Sequence, residues 1–356
     1  MKKTIYHLSH IDLDGYGCQL VMAQTAHEMI SFNANYGAEV RDRLEEILDS
    51  IKSAKCEATI LITDLNLYPD EARWLDKEVR ELNEKGWNIT ITLLDHHGSG
   101  ADVAESYKWY YLDTTRCATK ITYDYACEHY GLNSPDWLEP FVDVINAVDL
   151  WLQEDAVNFE YGKVCMRLII ETRELNRVMF ADRDRDYKLS LLYKAAQIAN
   201  EPEANIKLDD AIHALKKEYF IKDKNDTLDN LSVAEIVRLL GEKKSECTIY
   251  YRGYKGFLTY SLGNSSILGN GFLTTHSDYD FYIDVGSRGT MSLRGHNRVS
   301  VSQIASEIAG GGGHPNAAGG RLQGFKEQFR YDKVKLILED IFANAESMPS
   351  PIETKL

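Results

Sequence analysis

Three short apolar runs near the start of the chain each stop on acidic or imidazole side chains, and that repeated ending restricts the fold more than any other feature. Thr4–Leu8 runs into His10-Ile11-Asp12-Leu13-Asp14-Gly15, Ala58–Thr63 into Asp64, and Ile89–Leu94 into Asp95-His96-His97. Short runs rich in β-branched and apolar residues read as buried strands. Helical stretches follow them. One is apolar, near Gly17 to Met29. Another runs from about Pro69, where proline suits the first helical position, to Gly86, where glycine suits the stop. Arg116 to Tyr130 and Trp137 to Val148 also read as helices, the second ending at Asp149. Strands alternating with helices imply an α/β fold, a parallel sheet with helices on both faces. Ligands of such sheets bind beyond the carboxyl ends of the strands, so all three runs deliver carboxylates or imidazoles to one edge.

A cluster of that kind suits cations. Asp12 and Asp14 flank one residue of an irregular turn and can reach two cations side by side; Asp64 could bridge them, and His96 and Asp149 could complete the second ion's shell. Oxygen-rich ligands with one or two imidazoles suit Mn²⁺ first, and Mg²⁺, Co²⁺ or Fe²⁺ also. Two divalent ions about 4 Å apart activate water and clamp a phosphoryl group. A single aspartate after a strand is more often a helix cap or turn residue, and Asp143 is left in its helix on that ground. The joint occurrence at strand ends outweighs that reading for the others.

The 356 residues suggest two domains. A first α/β domain over 1–181 is followed by a charged, mostly helical connector over 182–245. Aromatic β runs such as Thr248-Ile249-Tyr250-Tyr251 and Phe281-Tyr282-Ile283 then mark a second, smaller α/β domain over 246–346, with a helix from about Val301 to Ile308, a last helix near Tyr331 to Ala345, and a loose tail over 347–356. A net charge of −15 argues against binding long duplexes, which needs a broad basic face. A short nucleotide is still compatible, because bound cations supply positive charge locally. The six cysteines form no CxxC pair, so neither a disulfide framework nor a zinc–thiolate site is expected. No run of about 18 apolar residues or secretory leader is evident, which points to a cytoplasmic protein with no membrane partner. The oligomeric state stays open, a homodimer included.

The second domain carries its own signal, Gly310-Gly311-Gly312-Gly313-His314-Pro315-Asn316-Ala317-Ala318-Gly319-Gly320. Successive glycines let backbone N–H groups converge on an anion, and a histidine in such a turn can donate to phosphate. A flexible linker would usually carry serine and lack the histidine. Arg294, in Ser292-Leu293-Arg294, can fork onto two phosphate oxygens, with Arg288 the nearest competitor.

Taken together these motifs resemble the DHH phosphoesterases with a DHHA1 domain behind. Asp95-His96-His97 matches the namesake motif, His10 to Gly15 the first, Leu61-Ile62-Thr63-Asp64 the second and Asn146-Ala147-Val148-Asp149 the fourth; the likeness covers nearly the whole chain. It implies Asp12, Asp14, Asp64, His96 and Asp149 as metal ligands, His97 facing the substrate phosphate, and Asp95 as support behind it. Many members place a histidine four residues before the first aspartate, where this chain has Leu8. His10, two before it, is the pattern of another branch and stays a candidate ligand. Ser292, Arg294, Gly312, Gly313 and His314 match the DHHA1 substrate-binding positions, which would grip a terminal phosphate or base across a cleft. The string Tyr6 to Cys18 and Leu262-Gly263-Asn264 resemble the NrnB-type nanoRNases. The expected activity is thus two-metal hydrolysis of short single-stranded RNA to mononucleotides, with His97 and Asp64 in catalytic roles. Enzymes of this architecture also act on 3′-phosphoadenosine 5′-phosphate or on cyclic and linear dinucleotides. A nucleotide-binding regulator without catalysis is the reading from another class.

Overall fold

The computed structural model describes residues 3–347; the expected loose tail after Ser347 lies outside the described residues. In chain order the elements are β1 (Thr4–Ser9), α1 (Leu13–Met22), β2 (Met29–Asn33), α2 (Ala38–Ala54), β3 (Ala58–Thr63), α3 (Pro69–Glu84), β4 (Ile89–Asp95), α4 (Ala101–Ser106), β5 (Tyr110–Leu112), α5 (Ala118–His129), α6 (Leu138–Asp149) and α7 (Ala156–Glu171). Then follow α8 (Ala181–Ile198), α9 (Ala204–Phe220), α10 (Leu228–Glu242), α11 (Lys244–Cys247), β6 (Thr248–Tyr251), β7 (Tyr254–Tyr260), α12 (Ser265–Thr275), β8 (Phe281–Val285), β9 (Thr290–Gly295), α13 (Val301–Ala309), β10 (Gly312–His314), β11 (Ala317–Arg321) and α14 (Tyr331–Glu346). They pack as two compact units. The first is the chain to Arg173 with Arg185–Lys216; the second is Glu174–Asp184 with the chain from Lys217 onward. The stretch expected as a connector is helical but shared: α8 and α9 lie mostly in the first unit, α10 in the second.

The first unit holds a five-stranded sheet of order β2-β1-β3-β4-β5, all parallel. Alternate residues face opposite sides of a strand, and the core divides accordingly. Tyr6, Leu8, Ile60, Ile62 and Leu93 join Leu44, Ile47, Leu75 and Val79 of α2 and α3. Ile5, Leu61 and Leu94 join Val21, Ile121 and Val142 of α1, α5 and α6. β3 is buried at every position, as befits a strand covered on both faces. The sheet reverses its order between β1 and β3, the switch point where open α/β sheets bind ligands.

The second unit is a six-stranded sheet, β10-β11-β9-β8-β7-β6, antiparallel except for the β7–β8 pair. The glycine-rich run is a β-hairpin here and not an open turn. α13 stops at Gly310 (φ 58°), β10 then returns beside β11, and a Cβ on Gly311 would lie 2.2 Å from the Gly319 carbonyl. Close approach of the two strands is the reason glycine is needed there.

Candidate active site

The β1 end builds the first corner. After Ser9 the chain turns through His10 and Ile11, and Asp12 caps α1 by accepting the Gly15 N–H at 3.0 Å. A Cβ on Gly15 would sit 2.3 Å from the His10 carbonyl, so only glycine closes this turn. Asp14 points back to α5, where its carboxylate accepts the Ala118 and Thr119 N–H groups at 2.8 and 2.7 Å. Asp64 follows β3 in a left-handed conformation (φ 57°), a strain of about 1 kcal/mol or more that clusters at functional sites. Asp95 ends β4, and His96 and His97 follow it. Asp149 is the last residue of α6. Leu8 lies in the apolar core beneath α2 and α3, so the imidazole at this corner comes from His10.

These side chains converge into three overlapping groups: His10, Asp12 and Asp64; Asp64, His96 and His97; and Asp14, His96 and Asp149. Within each, one potential ligand atom per residue lies within 4.8 Å of the others. His10 Nδ1 is 2.9 Å from Asp12 and 3.5 Å from Asp64. His96 Nε2 is 3.5–3.6 Å from Asp14, Asp64 and Asp149. Asp64 Oδ2 is buried without a hydrogen bond. Burial, then the charges of Asp14 and Asp12, hold the Asp64 carboxyl well above its usual range. Burial and Asp14 push Asp149 up to about 7. Burial lowers the His10 imidazole, but the Asp12 and Asp64 carboxylates outweigh it and raise it to about 10. Carboxylates crowded in this way, with unspent lone pairs, are what a cation relieves, and the donor set fits divalent metal.

Behind His97 lies a relay. Asp95 is fully buried; one oxygen contacts His97 Nδ1 at 2.7 Å and the other accepts the Tyr110 hydroxyl at 2.6 Å. The Asp95 contact fixes the ring and turns Nε2 outward. The Tyr36 hydroxyl meets that nitrogen at 2.9 Å. Neither tyrosine was anticipated from sequence. Tyr110 lies on the short edge strand β5, and Tyr36 follows β2; sequence reading missed both strands. Asp143 stays in α6, paired with Lys120, as its helix position suggested.

In the second unit the register sets out another face. His314, Ala317 and Arg294 fall in one row across β10, β11 and β9, and Gly312, Gly319 and Ser292 in the next. Paired residues share a face, so Ser292 and Arg294 look across a floor of Gly319 and Ala317 toward His314. The Arg294 guanidinium donates to the Ser266 hydroxyl and to the Leu293 carbonyl at 2.6 Å, while Gly313 accepts the Ser302 hydroxyl at 3.0 Å. Arg288 is exposed in the turn before β9, at the far end of that strand from Arg294.

No protein-family model matches the chain. A 3′,5′-cyclic-nucleotide phosphodiesterase of Helicobacter pylori is 46% identical over 346 residues, covering 96% of this chain and 99% of that protein. The crystal structure of an uncharacterized protein from Helicobacter pylori G27 has a TM-score of 0.90 at 46% identity and covers 96% of this chain and 100% of that one. Oligoribonuclease NrnB of Bacillus subtilis is 23% identical over 357 residues, 96% of this chain and 79% of that protein. Fold, site and relatives together define a hydrolytic phosphoesterase. The chain belongs to the DHH family of phosphoesterases.

Proposed function

We propose that this enzyme is a Mn²⁺-dependent phosphodiesterase that cleaves the P–O3′ bond of small ribonucleotide phosphodiesters to 5′-mononucleotides. The observation that carries the reading is Asp64, common to two groups of potential ligands at the switch point of the sheet. His10, Asp12 and Asp64 would hold one cation, and Asp14, His96 and Asp149, sharing Asp64, a second. Asp14 can serve both α5 and a cation because each carboxylate oxygen has a second lone pair. Bound divalent ions supply positive charge to the phosphoryl oxygens and ease deprotonation of the attacking water. His97, oriented by Asp95, presents Nε2 to the scissile phosphate. Water adds to phosphorus, the P–O3′ bond breaks, and O3′ leaves with a proton. In the second unit Arg294, Ser292 and His314 would bind a phosphate or base, with Gly312 and Gly313 keeping the approach to that face free of side chains.

The 46% identity over both whole chains favours 3′,5′-cyclic nucleotides as substrate. Short oligoribonucleotides are the second reading, supported by the weaker likeness to NrnB. The two share one scissile bond, since opening a cyclic nucleotide at P–O3′ yields the same 5′-mononucleotide that trimming RNA there releases. The test titrates Mn²⁺ into chelator-treated enzyme with 3′,5′-cyclic AMP, RNA of 2 to 10 nucleotides, 3′-phosphoadenosine 5′-phosphate and pGpG. Mn²⁺-dependent release of 5′-mononucleotide from the first two is expected. Asp64→Asn should cost about 10³-fold or more in kcat by weakening both groups. Tight nucleotide binding with no turnover of any substrate would replace the enzyme reading with a regulator.

A further inference from the structure

Tyr36 occupies a place at the cluster that no sequence motif marks. β2 pairs with β1 so that Asn33 lies beside Ser9, and the residues after the two strands run on together. The Ala34 N–H donates to Ser9 O at 3.0 Å. Asn35 donates its N–H to Glu39 at 2.8 Å and accepts the Tyr36 N–H on its own side chain at 2.9 Å. Gly37, at φ 88°, then turns the chain into α2, leaving Tyr36 outside the helix and over the strand ends. Its ring centroid lies 4.5 Å from that of His10 and 5.5 Å from that of His97. Its hydroxyl is 2.9 Å from His97 Nε2 and 3.4 Å from the Asp64 carbonyl. The residue is still 39% exposed, so one side remains open to an incoming ligand.

We propose that Tyr36 is a catalytic residue whose hydroxyl donates to a non-bridging oxygen of the scissile phosphodiester. The inference rests on the phosphodiesterase reading above. His97 Nε2 is the atom that its Asp95 contact turns outward, and the Tyr36 hydroxyl already sits on it. A phosphoryl oxygen arriving there meets both groups at once, and the hydroxyl donates to it in place of the Asp64 carbonyl. A phenol is protonated at neutral pH, so the donor is ready without proton transfer. It strengthens as negative charge gathers on the phosphoryl oxygens. Packing on His10 and His97 fixes the ring. A phenylalanine would keep that packing and lose only the donor.

Tyr36→Phe and wild type are compared for Mn²⁺-dependent hydrolysis of 3′,5′-cyclic AMP and bis-p-nitrophenyl phosphate. One lost donor in a partly open site predicts a fall in kcat of about 10- to 100-fold. KM and the half-activating Mn²⁺ concentration should each stay within about twofold. With the two phosphorothioate diastereomers of cyclic AMP, sulfur replaces one non-bridging oxygen by a weak acceptor, and the wild-type-to-variant ratio should shrink to below about threefold for one of them. Wild-type turnover by Tyr36→Phe overturns the proposal. So does a loss that sulfur leaves unchanged in both diastereomers, or one that appears only as a raised Mn²⁺ requirement, the mark of a residue that merely packs the ligands. If wild-type enzyme hydrolyses neither these diesters nor the short RNAs above, the phosphodiesterase reading falls and this one with it; an active wild type beside an unaffected variant, on whichever diester it cleaves, removes this one alone.

Discussion

His7 lies on β1 three residues before His10 and is closed to solvent, with Nε2 2.9 Å from the Thr63 hydroxyl and Nδ1 without a hydrogen bond. Thr63 in turn meets the Ser9 hydroxyl at 2.7 Å, and Ser9 donates to Gly15 O at 2.8 Å. This buried chain links the ends of β1 and β3, where His10 and Asp64 begin. Burial, then the nearby Arg185 charge, lowers the His7 imidazole from 6.5 to about 3. Below pH 6.5 the unfolded chain therefore binds a proton that the native protein refuses. Stability from this group is intact above that pH and falls as pH drops toward 3, by about 1.4 kcal/mol per pH unit. Urea denaturation of metal-free protein should show His7→Gln with a slope shallower by about that amount between about pH 6 and 4; equal slopes would mean that His7 is already charged in the native state. His7 reads in the sequence as an ordinary strand residue, because burial on both sides of a strand depends on which helices cover it.

α5 shows how an element becomes part of the site. No side chain of its own caps its N-terminus; Asp14, over a hundred residues earlier in the chain, accepts two of its leading N–H groups. Asp14→Ala should therefore cost the metal-free protein about 2 kcal/mol, through two charge-assisted hydrogen bonds to a helix start. Asp149→Ala removes a charge with no such partner and should leave metal-free stability unchanged or raised. Equal losses in urea midpoints would contradict the division. Among the helices, α3 was legible because its signals are local: Pro69 opens it, Glu71 accepts the Tyr68 N–H at 2.9 Å, and Gly86 follows it at φ 90°. β2 was not. Its residues, Met29–Asn33, are mostly half-exposed on a sheet edge, and the apolar helix before them reads on to Met29, whereas α1 stops at Met22. The hairpin of β10 and β11 reads as a turn in the sequence because glycine content looks the same for an anion loop and for two closely spaced strands.

At the scale of the whole molecule the charge of −15 sits with an anionic substrate. Long-range repulsion would oppose their encounter, and on the proposed reading attraction is left to the cations and to a few groups such as Arg294. kcat/KM for a cyclic nucleotide should hold level or rise between about 50 and 200 mM salt as screening shortens the Debye length. A protein that neutralises several phosphates through a basic face would instead lose affinity steeply over that range, and such a fall would count against a substrate held mainly by metal. No helix among the described residues is long and apolar enough to cross a membrane. The sequence by itself determined the parallel α/β first domain and the identity of most cluster residues, because strand periodicity and the ends of strands are written in neighbouring residues. Only the tertiary structure decided that Asp64 belongs to two groups, that Asp14 also anchors α5, that Leu8 is core, and that Tyr36 stands over His97. Each of those depends on strand order and register, which bring together residues from distant parts of the chain that no local pattern relates.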